Sequence, residues 1–494
     1  MSPDYLKNNS SIFFIILLAR FAGIFVIKTS FVPDEYWQSL EVAHNRAFGY
    51  GYLTWEWKKK IRNCLYPSIF SILYQIFPDS RYTTIFLPKI LQATLSSVGD
   101  FFTFKLSIKL FGEKCRKWML FNLLSSWFLF YCSSRTISNM AETSFTACGY
   151  YFYPWNEKRH RRLSCYYMWF AGASLLMRPT AVVVWLPLYL YHFWREKDHS
   201  YILRSTLGIG YAIFITLMSS DRWFYGEWVV TPYQFFVLNW SNDIGAFYGQ
   251  HSLLWYFYAG LPVLLGIHLV PFAMGITIAP LRKFYLLILF VVFVFSILSH
   301  KEFRFLLPIL PLALVICSSV MNEISTGRMK IFKHKVNKYF NTILMYGILL
   351  VNIPFSLYMG LFHQLGVIDA TLHLANSVSE KSSVLFLMPC HSTPYYSYIH
   401  KNITMKFLTC EPNFNNTQYY EEEADSFFQY PSFWLHQNYE TKKALLPSHI
   451  VMFDSLFSHV MKFLQRNGYH LCYSTFHSHF PEKRTGSNVN IYCR

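Results

Sequence analysis

Long apolar stretches alternate with short polar loops along the first 361 residues of the chain. A membrane-spanning helix needs about 20 mostly apolar residues, and these stretches approach or reach that length. The first one lacks a small-residue cleavage site, so we interpret it as a retained helix rather than a signal peptide. The pattern predicts about eleven spans, at residues 11–27, 84–110, 117–132, 141–155, 163–178, 180–194, 202–219, 253–277, 283–299, 303–320 and 341–361.

The pattern changes after residue 361, where mixed polar sequence carries short runs of β-forming residues. These runs lie at 383–388, 405–409 and 449–453, and a helical period follows at 456–465. We therefore predict an α-helical polytopic membrane domain over residues 1–361 and a small α/β domain over residues 362–494. Nothing in the second domain identifies a catalytic set or a role.

Composition supports a membrane protein, because hydrophobic residues make up 53% and charged residues only 14% of the 494 residues. The net charge of +17 is of the kind that can indicate nucleic-acid binding. However, the basic runs lie in short loops between apolar segments, where they orient a protein across a membrane. We therefore predict membrane lipids, and no nucleic acid, as partners.

The basic loops set the predicted orientation, because cytosolic loops carry an excess of Lys and Arg. The loops assigned to the cytosol are 157–162, 195–197, 282–283 and 328–338. This assignment places the N-terminus in the cytosol and the tail after residue 361 in the lumen. The loops that then face the lumen begin at Lys28, Ser133, Arg178, Ser219 and His300. One basic run, 58–60, falls on the lumenal side and disagrees with the trend.

Two features of the tail agree with a lumenal position. Asn402 and Asn415 each begin an Asn-X-Thr sequon and are candidates for N-glycosylation. Four cysteines lie in the tail without metal-type spacing, so disulfides are possible in an oxidising compartment. They are Cys390, Cys410, Cys472 and Cys493.

Two adjacent carboxylates, Asp34 and Glu35, follow the first predicted span within the run FVPDEYWQ. Apolar and aromatic neighbours raise the proton affinity of a carboxylate, as a general base requires. The alternative is that one of them caps a helix with Pro33 at its start, and spacing alone favours the cap.

The run HKEFRF, residues 300–305, places four ionisable side chains between two apolar segments. His300, Lys301 and Arg304 are candidates to bind a phosphate, while Glu302 orients one of them. The alternative is a juxtamembrane cluster that reaches lipid headgroups. Arg135 and Arg178 lie at two further lumenal boundaries and are additional phosphate candidates, although an isolated boundary Arg is more often an anchor.

A long lumenal segment from residue 221 to 251 alternates aromatic residues with amides and single charges. Aromatic faces and amide edges bind sugars, but the same residues are typical of an interfacial loop. The chain has no Gly-rich phosphate loop, Ser/His/Asp elbow, HExxH or zinc-spaced cysteines. The combination favours a lipid-borne phosphate substrate.

The runs FVPDEYWQSLE (31–41), GYGYLTWEW (49–57) and HKEFRF (300–305) resemble glycosyltransferase family 22. Members of this family are mannosyltransferases of the endoplasmic reticulum that use dolichyl phosphate mannose. The segment 221–226 and the tail runs LMPCHSTPYYS (387–397) and LPSHIV (446–451) resemble the branch that acts on glycosylphosphatidylinositol (GPI) precursors.

The resemblance implies a GT-C glycosyltransferase fold and transfer of the third, α-1,2-linked mannose to the GPI precursor in the lumen. It implies no metal or other cofactor, and the sequence indicates no obligate protein partner. It also implies sugar or acceptor contacts at Tyr36, Trp37, Gln38, Trp55, Glu56, Asp221, Arg222 and Tyr225. Two alternatives stay open: a related enzyme that extends the dolichol-linked N-glycan precursor, and a transporter or lipid scramblase.

If the chain transfers mannose to the GPI precursor, we expect a single-step inverting transfer. Asp34 is the expected base, and Glu35 is the second candidate. His300, Lys301 and Arg304 are expected to stabilise the leaving phosphate. This mechanism requires the carboxylates and the HKEFRF run to meet at the lumenal border of the membrane.

Overall fold

The computed structural model describes residues 8–155, 165–241, 244–329, 334–414, 420–441, 445–482 and 484–494. The helices are α1 (Asn9–Val26), α2 (Glu41–Phe48), α3 (Trp55–Lys58), α4 (Leu65–Ile76), α5 (Arg81–Phe111), α6 (Arg116–Ser125), α7 (Trp127–Cys132), α8 (Ser138–Phe152), α9 (Tyr167–Met177), α10 (Val182–Arg195), α11 (His199–Tyr225), α12 (Thr231–Phe236), α13 (Leu261–Leu265), α14 (Leu269–Met274), α15 (Arg282–Ile297), α16 (Leu310–Ser325), α17 (His334–Leu361), α18 (Gly366–Ser377), α19 (Tyr396–Ile399), α20 (Glu423–Gln429), α21 (Pro431–Leu435) and α22 (Phe457–Arg466). The strands are β1 (Ser383–Leu387), β2 (Thr404–Phe407), β3 (His449–Phe453), β4 (His470–Phe476) and β5 (Asn488–Cys493).

The chain divides into two compact units. The first consists of Met1–Phe25, Lys59–Tyr66 and Lys89–Leu357. The second consists of Val26–Lys58, Pro67–Pro88 and Tyr358–Arg494. The tail therefore folds together with the loop that carries Asp34, a grouping that the hydrophobic pattern does not predict.

Helices occupy the apolar segments predicted from the sequence. Within the described residues, six helical stretches are long and apolar enough to cross a membrane. They are Asn9–Val26, His199–Tyr225, Tyr256–Thr277, Ala279–Ile297, Phe303–Ser325 and Tyr339–Ser377. The chain is a multi-span membrane protein, as predicted.

The interior of the first unit is built around α16, whose side chains are almost all buried. It packs against α6, α14 and α15. A buried ion pair joins α1 to α5, with Arg20 Nε 2.6 Å from Asp100 Oδ2. The same guanidinium donates to the Leu123 carbonyl at 2.8 Å. Charges inside a helix bundle are tolerated when they are paired in this way.

A five-stranded sheet forms the centre of the tail, in the order β2-β1-β3-β5-β4. Strands β1, β2 and β3 are parallel, whereas β5 is antiparallel to both β3 and β4. Buried side chains of β1 and β3 pack with the apolar face of α22. The sheet and its helices form the small α/β domain that the sequence predicts.

The three predicted strands and the predicted helix are confirmed as β1, β2, β3 and α22. The sequence pattern does not predict β4 and β5. Most side chains of β4 are exposed or half-buried, so this strand lacks the apolar alternation that marks a strand with one buried face. The structure joins Cys390 to Cys410 and Cys472 to Cys493. The four tail cysteines thus form the disulfides that the sequence allows.

Candidate functional site

The HKEFRF run forms a compact cationic cluster in the first unit. The Glu302 carboxylate accepts two hydrogen bonds from Arg304, from Nε to Oε2 and from a terminal nitrogen to Oε1, both at 2.6 Å. His300 Nε2 lies 3.2 Å from the same Oε1. Glu302 therefore orients Arg304, as the sequence predicts. We use the name cationic cluster for His300, Glu302, Arg304 and Arg178.

The electrostatics of the cluster favour charged side chains. Burial would raise the pKa of Glu302, but the Arg304 guanidinium and the hydrogen bond from His300 hold this pKa well below its ordinary value. Burial, the largest single influence, would lower the pKa of His300, but the hydrogen bond to Glu302, the negative charge of Glu302 and the contact with the Gly249 carbonyl together raise it. The imidazole is therefore charged over a wider pH range than an isolated histidine.

Tyr256 fixes the backbone of the cluster. Its buried hydroxyl donates to the Glu302 carbonyl at 3.2 Å and accepts from the Glu302 N–H at 3.3 Å. A 3-10 helix, Phe303–Ile309, then leads from the cluster into α16. Arg304 thus lies in the first turn of this helix, and its guanidinium is held by Glu302.

Lys301 makes hydrogen bonds to the backbone around the HKEFRF run. Its ammonium group donates to the carbonyls of His251 and Leu298, and the residue is only 3% exposed. These bonds tie the HKEFRF run to the segment before α13. The predicted phosphate contact of Lys301 would have to form in addition to them.

Arg178 joins the cluster from the end of α9. Pro179 follows it, and the residue before a proline is restricted to the extended conformation seen here. Its guanidinium lies 3.5 Å from the Glu142 carboxylate and donates to the Ser138 hydroxyl at 3.2 Å. It also lies 5.7 Å from the centre of the Phe305 ring.

Arg304 lies 5.8 Å from the centre of the same Phe305 ring. The structure therefore brings three of the predicted phosphate candidates, His300, Arg304 and Arg178, to one place. Arg135 is buried and packs on Tyr131, with the guanidinium 4.1 Å from the ring centre and Nε donating to the Tyr131 carbonyl.

Asp34 and Glu35 lie in the second unit, in the first turn of a continuous helix that covers residues 34–48. We call it the Asp34 helix. The Pro33 carbonyl accepts hydrogen bonds from the N–H groups of Tyr36 and Trp37, both at 3.0 Å. Pro33 thus lies at the start of the helix. Asp34 is half-buried, whereas Glu35 is only 2% exposed.

His391 is near enough to Asp34 for the charge of Asp34 to affect the pKa of its imidazole. Burial lowers the pKa of this histidine to about 4, although the negative charge of Asp34 acts in the opposite direction. The imidazole is therefore neutral at physiological pH.

Two of the predicted sugar contacts, Tyr36 and Trp37, are buried in the packing of the second unit. The Trp37 indole N–H donates to the Thr393 carbonyl at 3.0 Å. Its ring centre lies 4.5 Å from that of His391 and 5.1 Å from that of Tyr395. These neighbours cover much of the indole.

Gln38 and Glu56 form a half-buried polar pair, in which the Gln38 amide donates to both carboxylate oxygens at 3.1 and 3.2 Å. Trp55 packs on Phe414 with ring centres 5.1 Å apart. The pair keeps one polar patch beside the Asp34 helix, and these two side chains are better placed for a sugar hydroxyl than the buried indoles.

Asp221 and Tyr225, in the first unit, hold a loop in place. The buried Asp221 carboxylate accepts from the Asn63 amide at 2.8 Å and from the Thr231 hydroxyl at 2.8 Å. The Tyr225 hydroxyl donates to the Arg62 carbonyl at 2.6 Å. Arg222 is exposed and lies 5.9 Å from the centre of the Trp228 ring. The structure gives Asp221 and Tyr225 a structural task that the sequence analysis missed.

The basic run 58–60 makes local ion pairs. Lys58 lies 3.6 Å from the Glu411 carboxylate, and Lys60 pairs with Glu227. These pairs give the run a task other than orienting the chain in the membrane. Of the two glycosylation candidates, Asn402 is exposed, and Asn415 lies outside the described residues.

Residues that the sequence analysis missed lie on the Asp34 helix itself. Glu41 is fully buried and accepts hydrogen bonds from Tyr395 and Ser397 of the tail. No local signal in the sequence points to this role, because the donors lie in the tail, 354 and 356 residues further along the chain.

Cys390, His391 and Cys410 have ligand atoms within 4.8 Å of one another, a spacing that could suit a metal ion. The structure joins the two cysteines in a disulfide, which removes the thiolates that such a site would need. His391 instead packs against Trp37.

Residues 11–400 match the family described as Alg9-like mannosyltransferases. The GPI alpha-1,2-mannosyltransferase 3 of Bos taurus is 39% identical over 503 residues, which cover 99% of this chain and 90% of that protein. The GPI mannosyltransferase 3 of Drosophila melanogaster is 40% identical over 476 residues, covering 92% of this chain and 82% of that protein.

A crystal structure of ArnT from Cupriavidus metallidurans bound to undecaprenyl phosphate is similar in fold. The TM-score is 0.59 at 11% sequence identity, and the match covers 97% of each chain. At this identity the similarity shows the fold alone. It confirms the GT-C fold predicted from the sequence.

Proposed function

The chain belongs to the Alg9-like mannosyltransferase family, and from this premise we propose that it adds the third, α-1,2-linked mannose to a GPI precursor. The observation that carries the proposal is the similarity to curated GPI α-1,2-mannosyltransferases over 99% of the chain. We propose dolichyl phosphate mannose as the donor and the lumenal leaflet of the endoplasmic reticulum as the place of transfer.

The cationic cluster is the proposed site for the donor phosphate. The phosphodiester carries one negative charge, which fixed cations can balance without a metal ion. Arg304 is held by Glu302 and Arg178 by Glu142, so both guanidinium groups are oriented before the donor arrives. A guanidinium carries five N–H donors in a planar fork, a geometry that matches phosphate oxygens.

Asp34 is the proposed base. The 2-hydroxyl oxygen of the acceptor mannose attacks C1 of the donor mannose and gives its proton to the Asp34 carboxylate. The bond between C1 and the phosphate oxygen breaks at the same time, and its electron pair leaves with dolichyl phosphate. One displacement inverts the configuration at C1 and needs no covalent intermediate. Asp34 is favoured over Glu35 because it is half-buried, whereas Glu35 is closed off.

The proposed orientation has a cytosolic N-terminus and a lumenal tail. The two disulfides and the exposed Asn402 sequon support a lumenal tail. Treatment with an endoglycosidase should increase the mobility of the wild-type protein, and Asn402→Gln should reduce or abolish that increase. A tail that stays unglycosylated and open to a cytosolic protease would contradict the orientation.

Reconstitution tests the function directly. The purified full chain is placed in liposomes with dolichyl phosphate mannose and, in parallel, with a two-mannose GPI precursor or a truncated dolichol-linked oligosaccharide. We expect a three-mannose GPI product that α-1,2-specific mannosidase cleaves, with no loss of activity in a metal chelator. Transfer to the oligosaccharide alone would replace the proposal with the N-glycan alternative.

A further inference from the structure

One segment of the tail, residues 391–400, runs along one side of the Asp34 helix. We call it the anchoring segment. Both elements belong to the second unit. The helix presents Trp37, Glu41 and His44 to this segment, at intervals of four and three residues that place them on one face. Each of the three makes a polar contact with the anchoring segment.

The first contact is between Trp37 and Thr393, described above. The last is between the rings of His44 and His400, whose Nε2 and Nδ1 atoms lie 3.0 Å apart. Burial lowers the pKa of His44 to about 3, so this ring is neutral. The other nitrogen of His400 lies 2.7 Å from Asp79, which ends the chain of contacts at the surface.

The central contact is the strongest. Glu41 Oε1 accepts hydrogen bonds from the N–H of Tyr395 at 2.9 Å, the N–H of Ser397 at 3.1 Å and the Ser397 hydroxyl at 2.5 Å. Its second oxygen lies 3.3 Å from the Ser397 nitrogen. A carboxylate with no exposed surface is costly unless its oxygens are satisfied, and here the tail supplies the donors.

The backbone on both sides of these contacts is unusual. Residues Tyr36–Leu40 form a π-helix, and the Glu41 N–H donates to the Tyr36 carbonyl five residues earlier. Single π-turns are frequent at functional sites. At the two ends of the anchoring segment, His391 and His400 have positive φ angles of 61° and 51°. Non-glycine residues rarely adopt this conformation, and such residues cluster at functional sites.

We infer that Glu41 is a positioning residue through which the C-terminal domain holds the Asp34 helix in register for proton transfer. This inference rests on the proposed function. Glu41 is seven residues from Asp34, or about 10 Å along a helix, so it acts through the helix and does not touch the substrate. It assigns a catalytic contribution to a domain in which the sequence shows no catalytic set.

The physical reason is the sensitivity of proton transfer to distance. A misplacement of about 1 Å by a remote change can lower a rate about 100-fold. Loss of the Glu41 contacts would leave the helix formed, because its first turn is held by Pro33. It would remove the central of the three contacts that limit rotation of the helix about its own axis, so that the direction of the Asp34 carboxylate would be less tightly fixed.

Glu41→Gln tests the inference, because the amide keeps the size of the side chain but replaces an acceptor oxygen with a donor. The exposed Glu380 provides the matched control Glu380→Gln. Dolichyl phosphate binding and the single-turnover rate of mannose transfer are measured on each purified full-length variant. We expect Glu41→Gln to bind with a wild-type Kd and stoichiometry, and to transfer about 100-fold more slowly. The control should match the wild type in both measurements.

A purely structural role predicts a different result, namely a loss of binding stoichiometry in proportion to the loss of transfer. Ser397→Ala gives a second variant, since it removes the hydroxyl donor and keeps both backbone donors. We expect a smaller reduction in its transfer rate. The inference is wrong if both variants transfer at the wild-type rate, or if binding and transfer fall together in both. If the wild type itself transfers no mannose, the proposed function has failed instead.

Discussion

The cationic cluster and the Asp34 helix are held in place by opposite means. Within the cluster, Glu302 binds Arg304 and His300, each two residues away, and Tyr256 secures the backbone. The Asp34 helix is held by Glu41, whose partner Ser397 lies 356 residues further along the chain. The HKEFRF part of the cluster is organised mainly by its own residues, with Arg178 added from the end of α9, whereas the Asp34 helix depends on a domain at the far end of the protein.

This difference separates two tasks. Local bonds make the cluster a fixed set of charges, which suits binding of an anion whose position does not change much. Long-range bonds make the position of Asp34 depend on the folding of the tail. We therefore expect changes in the cluster to affect donor binding, and changes on the Asp34 helix or in the tail to affect the rate of transfer.

The largest expected effect comes from Asp34→Asn. Removing a general base costs about 10² to 10⁴ in rate, so turnover should collapse while the protein still inserts into membranes. Steady-state assays with saturating donor measure this loss. Glu35→Gln serves as the comparison and should retain much more activity. Near-normal transfer by Asp34→Asn, together with collapse in Glu35→Gln, would move the role of base to Glu35.

Arg304→Ala should have the next largest effect. It should act on donor binding at the cationic cluster rather than on the rate of transfer. Loss of a charge-assisted contact to phosphate costs about 1.5–3 kcal/mol, which raises the donor KM by roughly 10- to 150-fold. Arg304→Lys keeps the positive charge but loses the bidentate guanidinium geometry. Its donor KM should therefore lie between the values of the wild type and Arg304→Ala. The exposed Arg466 gives the control Arg466→Ala, which should leave KM unchanged. Unaltered donor saturation and turnover in Arg304→Ala would remove the phosphate assignment.

The pH dependence of donor use should report on His300. Its pKa is raised in the folded protein, so its charge is present at low pH and is lost as the pH rises through that pKa. Donor KM should therefore increase with pH, by up to about tenfold. In His300→Gln this increase should disappear. An unchanged pH profile in that variant would show that His300 does not contribute charge to the donor site.

The smallest effect is expected from the disulfides, which distinguish the anchoring segment from the rest of the tail. Cys390 directly precedes this segment. The bond from Cys472 to Cys493 instead joins β4, at one edge of the sheet, to its neighbour β5. Removing either bond should cost about 3 kcal/mol of unfolding free energy, because both close loops of similar length. Only the double change Cys390→Ser with Cys410→Ser should also slow transfer. Equal transfer rates in both serine pairs would remove this distinction.

The sequence predicts the parts that depend on local pattern. Apolar length gives the membrane helices, β-forming runs give β1 to β3, and the HKEFRF run identifies the cationic cluster. Arg178 is a candidate because the orientation set by the basic loops places it on the same side of the membrane as His300. Charge density in a short run between apolar segments is a strong signal because charge is costly there.

The parts that the sequence does not predict depend on distant pairing. Trp37 is a residue type that often forms a stacking surface for sugars. Only its contacts with Thr393 and His391 in the structure show that the indole is buried. Asp221 looks like a binding carboxylate until Asn63 and Thr231 are found to use its oxygens. Glu41 resembles an ordinary helix glutamate because no local pattern reveals a donor 356 residues away.

Equilibrium binding of dolichyl phosphate to the Asp34→Asn and Arg304→Lys variants tests the separation of tasks most directly. The account predicts that Asp34→Asn binds the lipid phosphate as tightly as the wild type, and that Arg304→Lys binds it more weakly. If Asp34→Asn loses as much affinity as Arg304→Lys, the carboxylate takes part in holding the donor and the account is contradicted.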